Sequence, residues 1–315
     1  MTSGSVRQSV DAAKRWAEQP GQGFLLSSDP MFPAPLLEID PVPYGLFWMG
    51  DADYLQVPGL SVVGSRNPSA YGRRVTNFLA SELAAAGVQI ISGMARGVDG
   101  LAHECALSAG CPTIAVLGCG LDQTYPPEHE GLKQKIAATG LLLSEYPPWV
   151  KPLPAHFPQR NRLVTGLAAG VLVTEARLRS GSLISARLAM EQGREVFAVP
   201  GSVFSRQNEG CLKLIRDGAR LTTSIADIEE ELPDLFRHQR AGELTGSAPR
   251  VADPVHQQLL NLLDMETRSL DFLVARTHLN VQDLLSRLVS LEISGLIESG
   301  PGGYRLARHW DSMPG

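Results

Sequence analysis

The chain is poor in the features that mark several large protein classes. Four cysteines occur in 315 residues, Cys105, Cys111, Cys119 and Cys211, with no CxxC pair and no histidine at metal-ligand spacing. That argues against a disulfide framework or a zinc site, and points to reduced thiols in the cytoplasm. No apolar run approaches the roughly 18 residues that suggest a membrane span. Met1 to Trp16 has no continuous apolar stretch of the secretory kind. No membrane partner is expected. A P-loop, a GxSxG elbow, an HExxH pair and a paired-carboxylate motif are all missing, so no catalytic residue and no cofactor is assigned. A basic excess is missing too: 28 Lys and Arg stand against 33 Asp and Glu, a net charge of −5. Taken alone, that balance argues against nucleic acid, whose phosphates are held by Lys and Arg.

The distribution of charge softens the objection. From Leu60 to Gly166 there are nine Lys and Arg against seven Asp and Glu. From Val251 to Gly315 there are five Arg, no Lys and eight Asp and Glu. A DNA site, if there is one, belongs in the first region and not the second.

Between about residues 60 and 225, short apolar runs such as Ser61-Val62-Val63, Val88-Gln89-Ile90-Ile91 and Val171-Leu172-Val173 alternate with helically spaced segments. Continuous apolar strands separated by helices predict a mostly parallel sheet covered on both faces, an α/β, Rossmann-like doubly wound domain. The reading divides the chain into a short N-terminal extension over 1–50 holding at most one helix, the Rossmann-like domain over 51–232, a linker over 233–253 and a winged helix over 254–310. The last rests on three short amphipathic segments followed by a hairpin pattern around Gly300-Pro301-Gly302-Gly303.

Four segments carry the chemistry, three of them at turns that follow predicted strands. The first strand ends in Gly64-Ser65-Arg66, where glycine admits a phosphate close to the backbone and Ser65 and Arg66 can hydrogen-bond it. A tight turn with a solvated arginine explains the same residues. The second strand ends in Gly93-Met94-Ala95-Arg96-Gly97, followed by Asp99, a possible helix cap, and His103, which reads better as structural than catalytic. The stretch from Pro152 to Leu163 interleaves Phe157 with Arg160, Asn161 and Arg162, a mixture suited to stacking a base and holding phosphates. Its plain alternative is a loop whose Phe157 plugs the core. A last turn, Arg179-Ser180-Gly181-Ser182, can offer N–H groups and hydroxyls to an anion, and Glu175 is a lone strand-end carboxylate.

These segments, with Gly118-Cys119-Gly120-Leu121-Asp122, Ser144-Glu145-Tyr146-Pro147, His156-Phe157-Pro158 and Val199-Pro200-Gly201, closely resemble the DprA/Smf family in content and order over about residues 24–225. The resemblance implies a single-stranded DNA-binding protein with no established catalytic activity. It also implies a homodimer that loads RecA recombinase onto incoming strands in natural transformation and recombination. It places phosphate contacts on Ser65, Arg66, Gly93, Arg96 and the Arg160–Arg162 segment. Many members carry a helical domain ahead of the Rossmann domain; few residues precede the match here, and that domain's role is not expected. Cys211 and Leu212 stand where a Thr-Asn pair is often found, so some polar contacts of that loop are expected to be lacking. The competing enzyme reading is a nucleotide-cleaving protein of the lysine-decarboxylase-like class. Against it, no glutamate soon follows the Ser180-Gly181-Ser182 turn. The net −3 of the C-terminal region predicts protein contacts for the winged helix rather than duplex reading.

Overall fold

The structure, a computed structural model, describes residues 3–236 and, beyond them, residues 259, 262–263, 268–277, 279, 281–293, 297–300 and 302–306. The chain forms two units, Met1–Leu244 and Thr245–Gly315.

The first unit is built on β3 (Gly59–Val63), β4 (Gln89–Ser92), β5 (Thr113–Val116), β6 (Leu141–Ser144), β7 (Gly170–Val173), β8 (Glu195–Ala198) and β9 (Arg220–Leu221). All seven pair in parallel, in the order β6-β5-β4-β3-β7-β8-β9. From β3 the chain winds outward through β4, β5 and β6, then returns to β7 and winds the other way. The topological switch point therefore lies between β3 and β7. Successive strand residues feed opposite faces. Val63, Ile91 and Val173 pack with Leu163 of α5 (His156–Gly166) and Ala186 of α6 (Gly181–Glu191). Val62, Ile90 and Leu172 pack with Leu79 of α2 (Ala70–Ala85) and Ala102 of α3 (Val98–Ser108). Two serines in these buried strands are paired: Ser61 Oγ donates to Val164 O at 2.7 Å and Ser92 Oγ to Val62 O at 2.6 Å.

The N-terminal segment holds two strands besides its one α-helix. After α1 (Ser3–Ala17), strands β1 (Gln22–Leu26) and β2 (Gly45–Gly50) pair antiparallel and extend the sheet beyond β6 to nine strands. Their runs, Phe24-Leu25-Leu26 and Leu46-Phe47-Trp48-Met49, contain no β-branched residue and are separated by a proline-rich stretch, so the usual strand signal is weak. Packing decides: Trp16 of α1 meets Phe47 edge-on at 5.8 Å, and its indole N–H donates to Asp122 at 2.8 Å. At the other end, Leu235 and Phe236 are buried in the core, so packed structure reaches Phe236. Most of the expected linker lies outside the described residues.

The second unit has helices Leu270–Thr277 and Val281–Ile293 and an antiparallel hairpin, Ile297–Gly300 with Gly303–Leu306. Its core joins Leu259, Leu263, Leu273, Leu284, Leu288, Leu291 and Ile297. Most of the first expected helix lies outside the described residues.

Candidate nucleic-acid interface

A cleft of about 430 Å³ opens at the carboxyl ends of β3 and β7, at the switch point. Its first wall is the Gly64-Ser65-Arg66 turn, which the main chain ties to two other loops. Ser65 N–H donates to Glu175 O at 2.8 Å, and Ser65 O accepts from Val98 N–H at 3.1 Å. A Cβ on Gly64 would stand 2.6 Å from Val98 Cγ2. Gly97 has φ +76°, and a Cβ there would be 2.4 Å from Ser65 O. The glycines of these two turns serve loop-to-loop packing as well as any ligand.

The floor of the cleft is Arg160, on α5. Only 4% of it is exposed. Among the described residues its side chain makes no hydrogen bond or ion pair, and its Nε is buried without a partner. Beside it Asp99, also buried, accepts from Gly93 N–H at 3.1 Å and Ala95 N–H at 3.3 Å. Burial pushes the Asp99 carboxyl up; the Arg160 charge and the two backbone N–H groups oppose this. Burial pushes the Arg160 guanidinium down, against the pull of Asp99. A buried guanidinium lacking a direct partner is costly, and an anion entering the cleft would relieve it.

The second wall is the start of α6. Ser180 caps the helix, its Oγ lying 2.8 Å from Ser182 Oγ, and the first-turn N–H groups of Gly181 and Ser182 carry the positive end of the helix dipole. Arg177 and Arg179 join Arg66 at the rim, all three exposed, and Asn161 completes the lining. Arg177 Nε donates to Gln207 Oε1 at 2.7 Å. The sequence reading did not single out Arg177. Its signal was the strand-end position, two residues from Arg179.

The structure thus brings Gly64, Ser65, Arg66, Arg160, Asn161, Ser180, Gly181 and Ser182 to one cleft. Gly93 lies beneath Arg160, and Gly97 braces Ser65. The others are placed differently. Arg96 is exposed and ion-paired with Glu128. Arg162 turns away from the cleft, and its Nη2 donates to both Glu145 oxygens at 2.6 Å. Phe157 sits on the first turn of α5 rather than in a loop. It is half-buried beside Gly118, 4.9 Å from the Tyr125 ring, with Arg66 Cζ 5.9 Å over its face. Phe157, Arg66 and Arg96 share a small neighbouring depression. Glu175 is fully buried and accepts from Ser69, the N-cap of α2, through both its N–H and its hydroxyl. It fastens a helix start. His103 is buried against Thr113. No group of three or more metal-ligating side chains occurs among the described residues.

Residues 23–233 match the family described as DNA recombination-mediator protein A, and residues 244–303 match the DprA winged helix domain. The chain belongs to the DNA recombination-mediator protein A family, that of DprA and Smf. Among DprA/Smf relatives, Protein Smf of Escherichia coli K12 is 41% identical over 308 residues, 96% of this chain and 82% of the relative. DNA processing protein DprA of Bacillus subtilis is 45% identical over 208 residues, 66% and 70% of the two chains. Two solved DprA structures share the fold. That of Streptococcus pneumoniae has a TM-score of 0.66 at 42% identity, covering 70% of this chain and 77% of its own. That of Helicobacter pylori, described for its single-stranded DNA binding mode, has a TM-score of 0.60 at 34% identity, covering 69% and 96%.

Proposed function

We propose that this DprA/Smf protein binds single-stranded DNA in the cleft between β3 and β7, holding backbone phosphates with Arg160, Arg66 and the N–H groups at the start of α6. The observation that carries this reading is the Arg160 side chain, buried at the cleft floor and, among the described residues, without a hydrogen bond or ion pair. Arg160 lines both the cleft and the neighbouring depression, so a group that contacts it enters one of the two. A single strand can thread a phosphate inward, whereas a duplex presents its phosphates on a broad, stiff surface. Direct base readout is not built in, because the lining offers phosphate donors rather than an element shaped for a groove. The single-strand binding described for the Helicobacter pylori relative supports the same reading. The family resemblance extends it to a cytoplasmic homodimer that helps load RecA recombinase in transformation and recombination.

The reading is of a binding protein rather than an enzyme. Asp99 is the one carboxylate among the described lining residues, and it is buried and engaged by Gly93 and Ala95. A nucleotide-cleaving reaction would need a free carboxylate there.

The test is a salt titration of oligothymidine binding beside a duplex of equal length. Tighter single-strand binding is expected. Arg160→Ala should weaken it for every sequence alike and flatten the salt slope by about 0.7 for a lost contact to a single strand. Duplex binding as strong as single-strand binding, or an unchanged slope in Arg160→Ala, would sink the proposal. RecA loading is checked by RecA ATPase activity on strands already coated with single-strand-binding protein. No acceleration would remove that part.

A further inference from the structure

One side chain at the cleft's sheet edge is left unused by the fold. Phe204, in the loop after β8, is 96% exposed, and Val203 beside it is 73% exposed. The loop is internally ordered: Ser205 N–H donates to Ser202 O and Asn208 N–H to Ser205 O, each at 3.0 Å. The buried Asn208 side chain lies under Gly201, where a Cβ would be 2.2 Å from Asn208 Cγ. The phenyl ring is thus held out on a fixed turn.

The surroundings say what would cover it. Strands β7 and β8 are parallel neighbours, so this loop adjoins the cleft's second wall, and the Arg177–Gln207 hydrogen bond joins the two. In a chain of net charge −5, the stretches 176–190 and 196–208 contain Arg177, Arg179, Arg187 and Arg206 and no Asp or Glu. An apolar ring beside Arg177, Arg179 and Arg206 suits a strand that is both aromatic and polyanionic.

We propose that the β8–α7 loop, α7 being Glu209–Arg216, continues the single-strand site: Phe204 stacks on a base of the strand leaving the cleft past Arg177, and Arg206 meets a phosphate beside it. This rests on the cleft reading above. The strand then has two ring contacts, Phe157 on the β4 side and Phe204 on the β8 side, with the phosphate floor between them.

The experiment uses the full chain and oligothymidine of roughly 20 nucleotides, long enough to pass both rings. Wild type, Arg160→Ala, Phe204→Ala and Phe204→Trp are compared, with light scattering on each. Phe204→Ala should weaken binding about fivefold or more, and Phe204→Trp should keep it. A 4-thiothymidine strand should cross-link to the 202–206 segment in wild type. Wild type that fails to bind refutes the cleft reading itself. Wild type that binds, with Arg160→Ala weakened but Phe204→Ala unchanged, overturns this inference alone. A Phe204→Ala loss that appears only with a change in oligomeric state also overturns it and makes the loop a contact between copies of the chain.

Discussion

The Arg160 guanidinium lies across Gly93 so closely that a Cβ on the glycine would fall 1.6 Å from Nη1. Gly93 is therefore what lets Arg160 lie flat on the cleft floor, and the two residues meet from different elements at the proposed phosphate contact.

Gly93→Ala should displace the guanidinium and weaken single-strand binding about as much as Arg160→Ala does. The double variant should be little worse than either single one, because each removes the same interaction. Oligothymidine titrations of the four proteins close the cycle. Additive losses would mean that Gly93 acts independently of Arg160.

Arg162 should behave in the opposite way. Its side chain is 10% exposed and paired with Glu145. Arg162→Ala leaves that carboxylate without its cation and should cost on the order of 3 kcal/mol of stability, with the salt slope of DNA binding unchanged. Urea unfolding beside a salt titration separates the two effects. A flattened slope with normal stability would return Arg162 to the list of phosphate ligands.

His103 sets a pH dependence. Thr113 Oγ1 donates to Ile90 O at 2.7 Å, so it accepts from His103 Nδ1–H, also at 2.7 Å. The imidazole is buried and its pKa is lowered to about 3, first by burial and then by the charges of His129 and Arg160. The unfolded chain takes up this proton near pH 6.5, as an unperturbed histidine does. The stabilisation is then complete above about 6.5 and is lost as pH falls toward about 3, by at most about 1.4 kcal/mol per unit. Asp99, raised by burial, contributes with the opposite sign, and it does so equally in a variant that lacks only the imidazole. His103→Gln should therefore lose less stability than wild type between about pH 7 and about pH 5. Parallel stability curves from urea melts would contradict the assignment.

Much of the sheet and most of the cleft could be read from the sequence because their signals are local. Val62-Val63, Ile90-Ile91 and Val171-Leu172-Val173 are continuous apolar runs, and Gly64, Gly93 and Gly97 mark the turns that follow them. Strands β1 and β2 were hidden because an edge pair held by Trp16 and Asp122 depends on contacts about a hundred residues apart in sequence. The partners of the arginines were hidden for the same reason. Arg160 and Arg162 are two positions apart on one helix, so they point to different sides. One faces an open cleft and the other Glu145, and only the packed helix tells them apart. Asp99 looked like a helix cap. It reaches back instead to the N–H groups of Gly93 and Ala95, a bond that spacing alone does not distinguish from a cap.

Ser65 ties its own turn to two others through its main chain, giving its N–H to the β7 end and its carbonyl to the start of α3. A hinge cannot operate at such a knot. The cleft's walls are set when the sheet folds, so under the proposed function little ordering remains to be paid when a strand arrives, and the encounter would resemble docking on a finished surface more than closure around a guest. The same knot constrains how the edge can change over time: an insertion in any one of the three turns disturbs the other two, while the tip carrying Phe204 lies outside the knot and is free to vary in shape and reach.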